Sequence, residues 1–189
     1  MRALPSITLA LIGFFAAHAS ADDADPAIDV GVRMQGQVVF VDVGFRVNAT
    51  PQEVWAVMTD YDHATAFISK LEKSVILSRT ENTLLVSQKG AMGFGPLSVP
   101  IETVTEVRLT PYEKMQGRMV SGSMKKIQST TRLIADASGT RVVYHLESIP
   151  DVWIPPLIGR ALVAYETRGR FRELVDEILR RKAASRTSP

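Results

Sequence analysis

A chain of 189 residues, 46% of them hydrophobic, is long enough to bury one sizeable core. Its 22 Lys and Arg against 20 Asp and Glu leave a formal charge of +2, which gives no electrostatic reason to expect nucleic acid or an anionic surface as partner. Cysteine is absent, so disulfides, thiol nucleophiles and thiolate metal sites are excluded and the fold must rest on packing.

Arg2 precedes an apolar run over residues 7–17, and Ala19-Ser20-Ala21 then sets small residues just before Asp22 and Asp23. This order is that of a secretory signal peptide, and the run is shorter than the ~20 residues needed to span a bilayer. Cleavage after Ala21 is expected, with the periplasm or the cell exterior as destination. Residues 22–36 are acidic, contain glycine and are weakly patterned, so they read as a tail or linker. One domain is expected over residues 37–183, with a short tail over 184–189.

Val39, Val41, Val43, Phe45 and Val47 share one face of a half-buried strand. Thr50-Pro51-Gln52-Glu53 is a capping box with proline at the first helical position, and Val54, Trp55, Val57 and Met58 make the helix it opens amphipathic. A second short helix is expected over residues 64–71, burying Phe67 and Ile68. Strand-length segments follow, separated by turn signals. They cover residues 74–79, then Leu84, Val86 and Gln88, then the alternation Ile101, Thr103, Thr105, Val107 and Leu109. Met115, Gly117, Met119 and Ser121 come next, then Ile127, Ser129, Thr131 and Leu133, and last Val142, Tyr144 and Leu146. About seven strands result.

Residues 155–182 carry the longest helical periodicity without internal proline. Phe171, Leu174, Val175, Ile178 and Leu179 form one apolar stripe. Leu157, Ile158, Ala161, Leu162 and Tyr165 form another, rotated by roughly a quarter turn at about 100° per residue. The fold class is therefore α+β, a curved antiparallel sheet of about seven strands closed over a long C-terminal helix. Thr103, Thr105, Gly117, Ser121, Ser129 and Thr131 are small or polar on the inward faces, where a dry core carries large aliphatics. With small residues also on the first half of the helix, the pattern predicts a hollow there.

This order of elements, with Thr50-Pro51-x-Glu53-Val54-Trp55, Asp60-Tyr61, Phe67, Gln88-x-Gly90, Gly95-Pro96, Tyr144-x-Leu146 and Pro155-Pro156-Leu157-Ile158-Gly159-Arg160, resembles the START-like helix-grip superfamily. Within it the chain is most similar to the polyketide cyclase/dehydrase and lipid-transport group, whose branches include ubiquinone-binding START-type proteins. The resemblance runs from about Val38 to Lys182. It implies a hydrophobic cavity between sheet and helix, entered past the loops at 90–96 and 150–156, and a function in binding or carrying a lipid, quinone or polyketide-like molecule. An aromatase/cyclase-like reaction in the same cavity and a protein-partner module are the alternatives. The family often has a bulky aromatic where this chain has Thr131, a change that either enlarges the cavity or is compensated by a neighbour.

The expected cavity lining is Phe67, Val86, Gln88, Met92, Phe94, Ile101, Thr103, Met119, Ser121, Ser129, Thr131, Tyr144, Trp153, Ile158, Leu162, Tyr165 and Arg168. Gln88 reads either as a core amide bonded to backbone or as a polar anchor for a ligand head. Tyr144 and Tyr165 are packed aromatics or anchors of the same kind. Arg168 either snorkels to the edge or pairs with an acidic group. Met92 and Phe94, in the glycine-rich segment 90–96, could form a mobile apolar lip. That segment has no GK[ST] and no following helix, which excludes a phosphate loop. Asp60, Asp62 and His63 lack a further ligand for zinc and read as helix-end charge. His145 falls on the outward face, and no nucleophile elbow is present. No metal, no cofactor and no catalytic set are assigned, and a monomer is expected.

Overall fold

The computed structural model describes residues 27–93, 98–153 and 155–187. The expected signal peptide lies outside the described residues, as does Phe94. The elements run β1 (Asp29–Gln35), β2 (Val38–Val47), α1 (Pro51–Met58), a 3-10 turn (Tyr61–Ala66), β3 (Leu71–Arg79), β4 (Thr83–Met92), β5 (Val99–Thr110), β6 (Lys114–Gly122), β7 (Met124–Asp136), β8 (Gly139–Pro150) and α2 (Pro156–Thr187). All strands join one antiparallel sheet in the order β1-β2-β8-β7-β6-β5-β4-β3.

Eight strands replace the seven expected because much of the presumed tail is β1. Its Val30, Val32 and Met34 alternate inward and pack on the core, while Asp29, Arg33 and Gln35 face solvent. Three apolar residues interrupted by Gly31 and Arg33 are a weak signal in sequence. Pairing with the strongly patterned β2 makes them a strand (Val32 opposite Val41), and α2 packs against it. Residues 64–71 hold no second α-helix. The chain turns in 3-10 geometry and enters β3 at Leu71, although Ile68 is buried as expected.

The capping box at α1 forms as its residues dictate. Glu53 N–H donates to Thr50 Oγ1 at 3.3 Å, and Thr50 N–H donates to Glu53 Oε2 at 2.7 Å. Two orphan donors are thus satisfied at the first turn. The helix buries Val54 and Val57, and Trp55 packs edge-on to Tyr112 at 5.8 Å. The core gathers Val41 and Val43 from β2, Leu84 and Val86 from β4, Val142 from β8, and Phe171, Val175 and Ile178 from α2. At its centre Phe171 stands 5.7 Å from Phe45 and 5.1 Å from Tyr144, ring to ring.

Two inward assignments change. In β6, Thr105 faces Met119 but Val104 faces Ser121, so Val120 is an extra residue, a β-bulge. A bulge reverses which face later side chains take. Ser121, inward by simple alternation, is accordingly exposed. In α2 the stripe set by Ile178, Val175 and Phe171 continues straight back through Thr167 to the buried Val163 and Gly159. The rotated apolar face predicted for the first half therefore points outward. Ile158 and Tyr165 are 63% and 66% exposed, and Leu162 is half-buried.

Candidate ligand cavity

Between the concave face of the sheet and α2 lies a hollow of about 310 Å³, within the ~300–1,000 Å³ typical of small-molecule pockets. Its sheet wall comes from β4 (Val86, Gln88, Met92), β5 (Ile101, Thr103, Thr105, Val107), β7 (Ile127, Ser129, Thr131) and β8 (Tyr144, Leu146). The roof is Arg170, Phe171 and Leu174 of α2, with Met58 and Tyr61 closing one end. A side chamber of about 90 Å³ shares Met92, Tyr144, Arg170 and Phe171 and runs under Val163, Glu166 and Thr167.

Small inward residues make this space. Gly117 of β6 sits opposite Ser129, and a Cβ added to it would stand 2.7 Å from Ser129 Oγ and 3.4 Å from Thr105 Cγ2. Where a larger pair would meet across the strands, glycine and serine leave the wall recessed. Thr131, buried beside them, adds to the recess.

The structure thus brings together Val86, Gln88, Met92, Ile101, Thr103, Ser129, Thr131 and Tyr144 of the expected lining. Apart from Phe94, which lies outside the described residues, the others lie elsewhere. Phe67 packs against the core under the Arg181 guanidinium, 5.5 Å from its ring. Met119 is half-buried beyond the cavity wall, Ser121 is turned out by the bulge, and Trp153 is 71% exposed. Ile158, Leu162 and Tyr165 lie off the inward stripe. Arg168 donates from Nε to the Ile28 carbonyl at 3.4 Å, tying α2 to the start of β1 instead of reaching the cavity.

Sequence reasoning missed Tyr61, Lys70 and Arg170. Arg170 could have been found by stepping one turn back from Leu174 along the stripe. Tyr61 and Lys70 carry no local signal, since the 3-10 turn and the link into β3 are what position them.

The polar groups converge in two places. Inside, Gln88 Nε2 donates to Ser74 Oγ at 3.1 Å, a side-chain partner on β3 where a backbone one was expected. Burial pushes the Tyr144 phenol up to about 12, against the opposing pull of the Arg170 charge. Burial likewise pushes Tyr61 up to about 12, with the nearby Tyr144 adding to the effect. Both phenols are therefore neutral donors at physiological pH. At the rim, Lys70 Nζ donates to both carboxylate oxygens of Glu166, at 2.6 and 2.7 Å, and to the Gly93 carbonyl at 2.7 Å. One ammonium thus joins the start of β3, the end of β4 and α2 beside the opening. Gly90 lies under this junction, because any Cβ there would collide with the Lys70 carbonyl.

A second hollow, about 350 Å³, lies on the convex face between Glu106, Arg108, Arg118, His145 and Glu147. These side chains pair with one another or with neighbours: Arg108 with Glu106 at 3.1 Å, the His145 ring with Asp42 at 2.7 Å and Glu147 with Lys126 at 2.7 Å. It is a solvated furrow of ion pairs, with no apolar wall to hold a guest.

Asp60, Asp62 and His63 serve the fold. His63 Nδ1 and the Arg181 guanidinium bond Asp60 at 2.7 and 2.8 Å, and Asp62 accepts the Ile76 N–H at 2.8 Å. Burial works to raise the Asp60 pKa, but these two partners together hold it below the usual carboxylate value. Among the described residues no cluster of three or more His, Asp or Glu is placed to hold a metal ion. Nor is any helix among them long and apolar enough to cross a membrane.

Solved structures place this architecture. A STAR-related lipid transfer protein from Xanthomonas axonopodis is 14% identical and superposes with a TM-score of 0.67 over 82% of this chain and 99% of its own. The Zhui aromatase/cyclase from a Streptomyces species is 16% identical, with a TM-score of 0.65 over 76% and 95%. A START superfamily protein from Mycobacterium smegmatis is 13% identical, with a TM-score of 0.61 over 77% and 99%. At such identities the likeness is one of fold. No curated protein sequence matches the chain significantly. The family model described as polyketide cyclase/dehydrase and lipid transport matches residues 47–173, from the end of β2 into α2, and the chain belongs to that family.

Proposed function

We propose that the protein binds and carries a hydrophobic small molecule in the cavity between sheet and α2. The observation that carries this reading is the hollow itself. Its wall is largely aliphatic, methionine and aromatic side chains, and it is kept open by Gly117, Ser129 and Thr131, where large residues would fill it. Removing apolar ligand surface from water there is worth roughly 25 cal/mol per Å², and a few polar groups suffice to orient the head. The lipid-transfer neighbour from Xanthomonas is consistent with it.

Turnover like that named for the Streptomyces neighbour calls for a proton-transfer group titrating near neutral pH. The two cavity phenols sit near 12 and keep their protons, which favours binding over catalysis. We place the work of the protein after export, on the strength of the pattern in residues 1–21, and cell fractionation tests that placement.

The test of binding is native mass spectrometry and solvent extraction of the purified protein, followed by titration with an environment-sensitive apolar dye. Bound lipid-like mass, or dye uptake that a cavity-filling substitution abolishes, is the expected result. Absence of both bound mass and dye uptake would sink the carrier reading.

A further inference from the structure

The cavity holds more hydrogen-bonding capacity than the protein itself uses. Tyr61 and Tyr144 both line it, and neither hydroxyl has a hydrogen-bond partner among the described residues. Both tyrosines are part-buried and no fully buried side-chain polar atom among the described residues lacks a partner, so these two hydroxyls are open to the hollow they line. Two phenols in one largely apolar hollow are two donors available to a guest.

Arg170, exposed on α2 beside Phe171, borders the main cavity and its side chamber from the rim. Its neighbours on the helix are already committed. Glu166, one turn earlier, is held by Lys70, and Glu173, one turn later, accepts the Ser69 N–H at 3.2 Å. Lys70 and Glu166 cancel, and the Arg170 guanidinium makes no ion pair among the described residues. Its charge nevertheless reaches Tyr144. The polar end of the hollow thus offers two neutral O–H donors and one uncompensated cation, and no carboxylate free to receive a basic group.

We propose that the cavity selects amphiphiles with an anionic oxygen head, a carboxylate or a phosphate ester, seated among the hydroxyls of Tyr61 and Tyr144 and the guanidinium of Arg170, with the tail along the β4–β7 wall. This rests on the binding reading above. Charge-assisted bonds from guanidinium and phenol to an anionic oxygen are the strong kind, and only the anionic head gains them. Gln88 turns its amide N–H to Ser74 Oγ, so selectivity is assigned to the two phenols and the arginine.

The experiment is titration calorimetry of the delipidated protein with dodecanoate, dodecyl phosphate and dodecanol, which share one tail. The wild type is expected to bind one or both anions about tenfold or more tighter than the alcohol. Arg170→Gln and Tyr144→Phe, and to a lesser degree Tyr61→Phe, should collapse that ratio by weakening the anions several-fold more than dodecanol. All three variants should keep the thermal midpoint of the parent. Preference for dodecanoate assigns a carboxylate head, and preference for dodecyl phosphate a phosphate ester. Equal binding of alcohol and anions, or equal weakening of all three by the variants, overturns the head-group assignment and leaves the carrier reading standing. If none of the three binds while the apolar dye does, the head-group assignment falls and the carrier reading stands; if the dye fails as well, both fall.

Discussion

Ser129→Leu tests whether the hollow is real space. Ser129 is half-buried on β7, faces the cavity opposite Gly117, and its hydroxyl bonds no other described residue. Leucine there adds roughly three carbons to the buried wall, worth about 2 kcal/mol at ~0.8 kcal/mol per methylene. Fixing its rotamer takes back about 0.5–1 kcal/mol. The net is a stabilisation of about 1–1.5 kcal/mol, or a rise in thermal midpoint of roughly 3–5 °C for a domain this size. In a filled core the same substitution is overpacking and costs about 1–3 kcal/mol. The sign, more than the size, decides. Thermal unfolding by circular dichroism must compare delipidated proteins, since a bound guest stabilises the parent by mass action. A midpoint several degrees below the parent would falsify the hollow, and with it the inference that Gly117, Ser129 and Thr131 hold a space open.

Other perturbations follow from the same geometry. Glu177 is buried at the far end of α2 and held down to about 2, chiefly by the Arg180 hydrogen bond and, against the cost of burial, by Arg181. Because its folded pKa lies below the unfolded value, it contributes stability above pH ~4.5 that is lost as pH falls toward 2. Glu177→Gln should cost about 1–2 kcal/mol at pH 7, allowing for the exposed Arg180, and should flatten the acid limb of a urea-midpoint profile. An unchanged limb would contradict the pairing. Lys70→Met removes the tie between Gly93 and Glu166; for a part-exposed pair worth up to about 1 kcal/mol, stopped-flow dye release should quicken by up to about fivefold. Gly90→Ala should lower stability by about 1–3 kcal/mol in urea, because the new methyl meets the Lys70 carbonyl, a backbone atom that cannot swing aside. Tolerance of alanine there would show that the β3–β4 junction is looser than drawn.

Strong alternation made most of the sheet legible before any coordinates. β2 carries five apolar residues in perfect register with the core, and the capping box marked the first residue of α1. What failed did so for identifiable reasons. β1 is stabilised by its partner more than by its own pattern. The bulge at Val120 inserts one residue, and nothing in the local sequence counts it. The helix misled most. Ile158, Leu162 and Tyr165 look like an inner face because they are apolar, yet the direction of α2 is set by where Phe171, Val175 and Ile178 anchor. A continuous helix cannot rotate its stripe midway, so those three residues are carried outward or to the flank. For the cavity, small strand residues were a sound signal and large helix residues a poor one. The polar end escaped notice because Tyr61 and Arg170 are assembled from a turn and a helix more than a hundred residues apart.

The pairing of β2 with β8 sets Val43 opposite Tyr144. A hundred residues of chain must therefore emerge before the centre of the sheet can zip. Until then β2 has only its hairpin mate β1, and the valines that will become interior remain wetted. Such distant pairing puts assembly in the slow regime of milliseconds to seconds. A nascent chain cut anywhere before residue 140 has no route to the native topology, so truncation from the C-terminal side should give loss of the whole fold at once and not a gradual shortening of it.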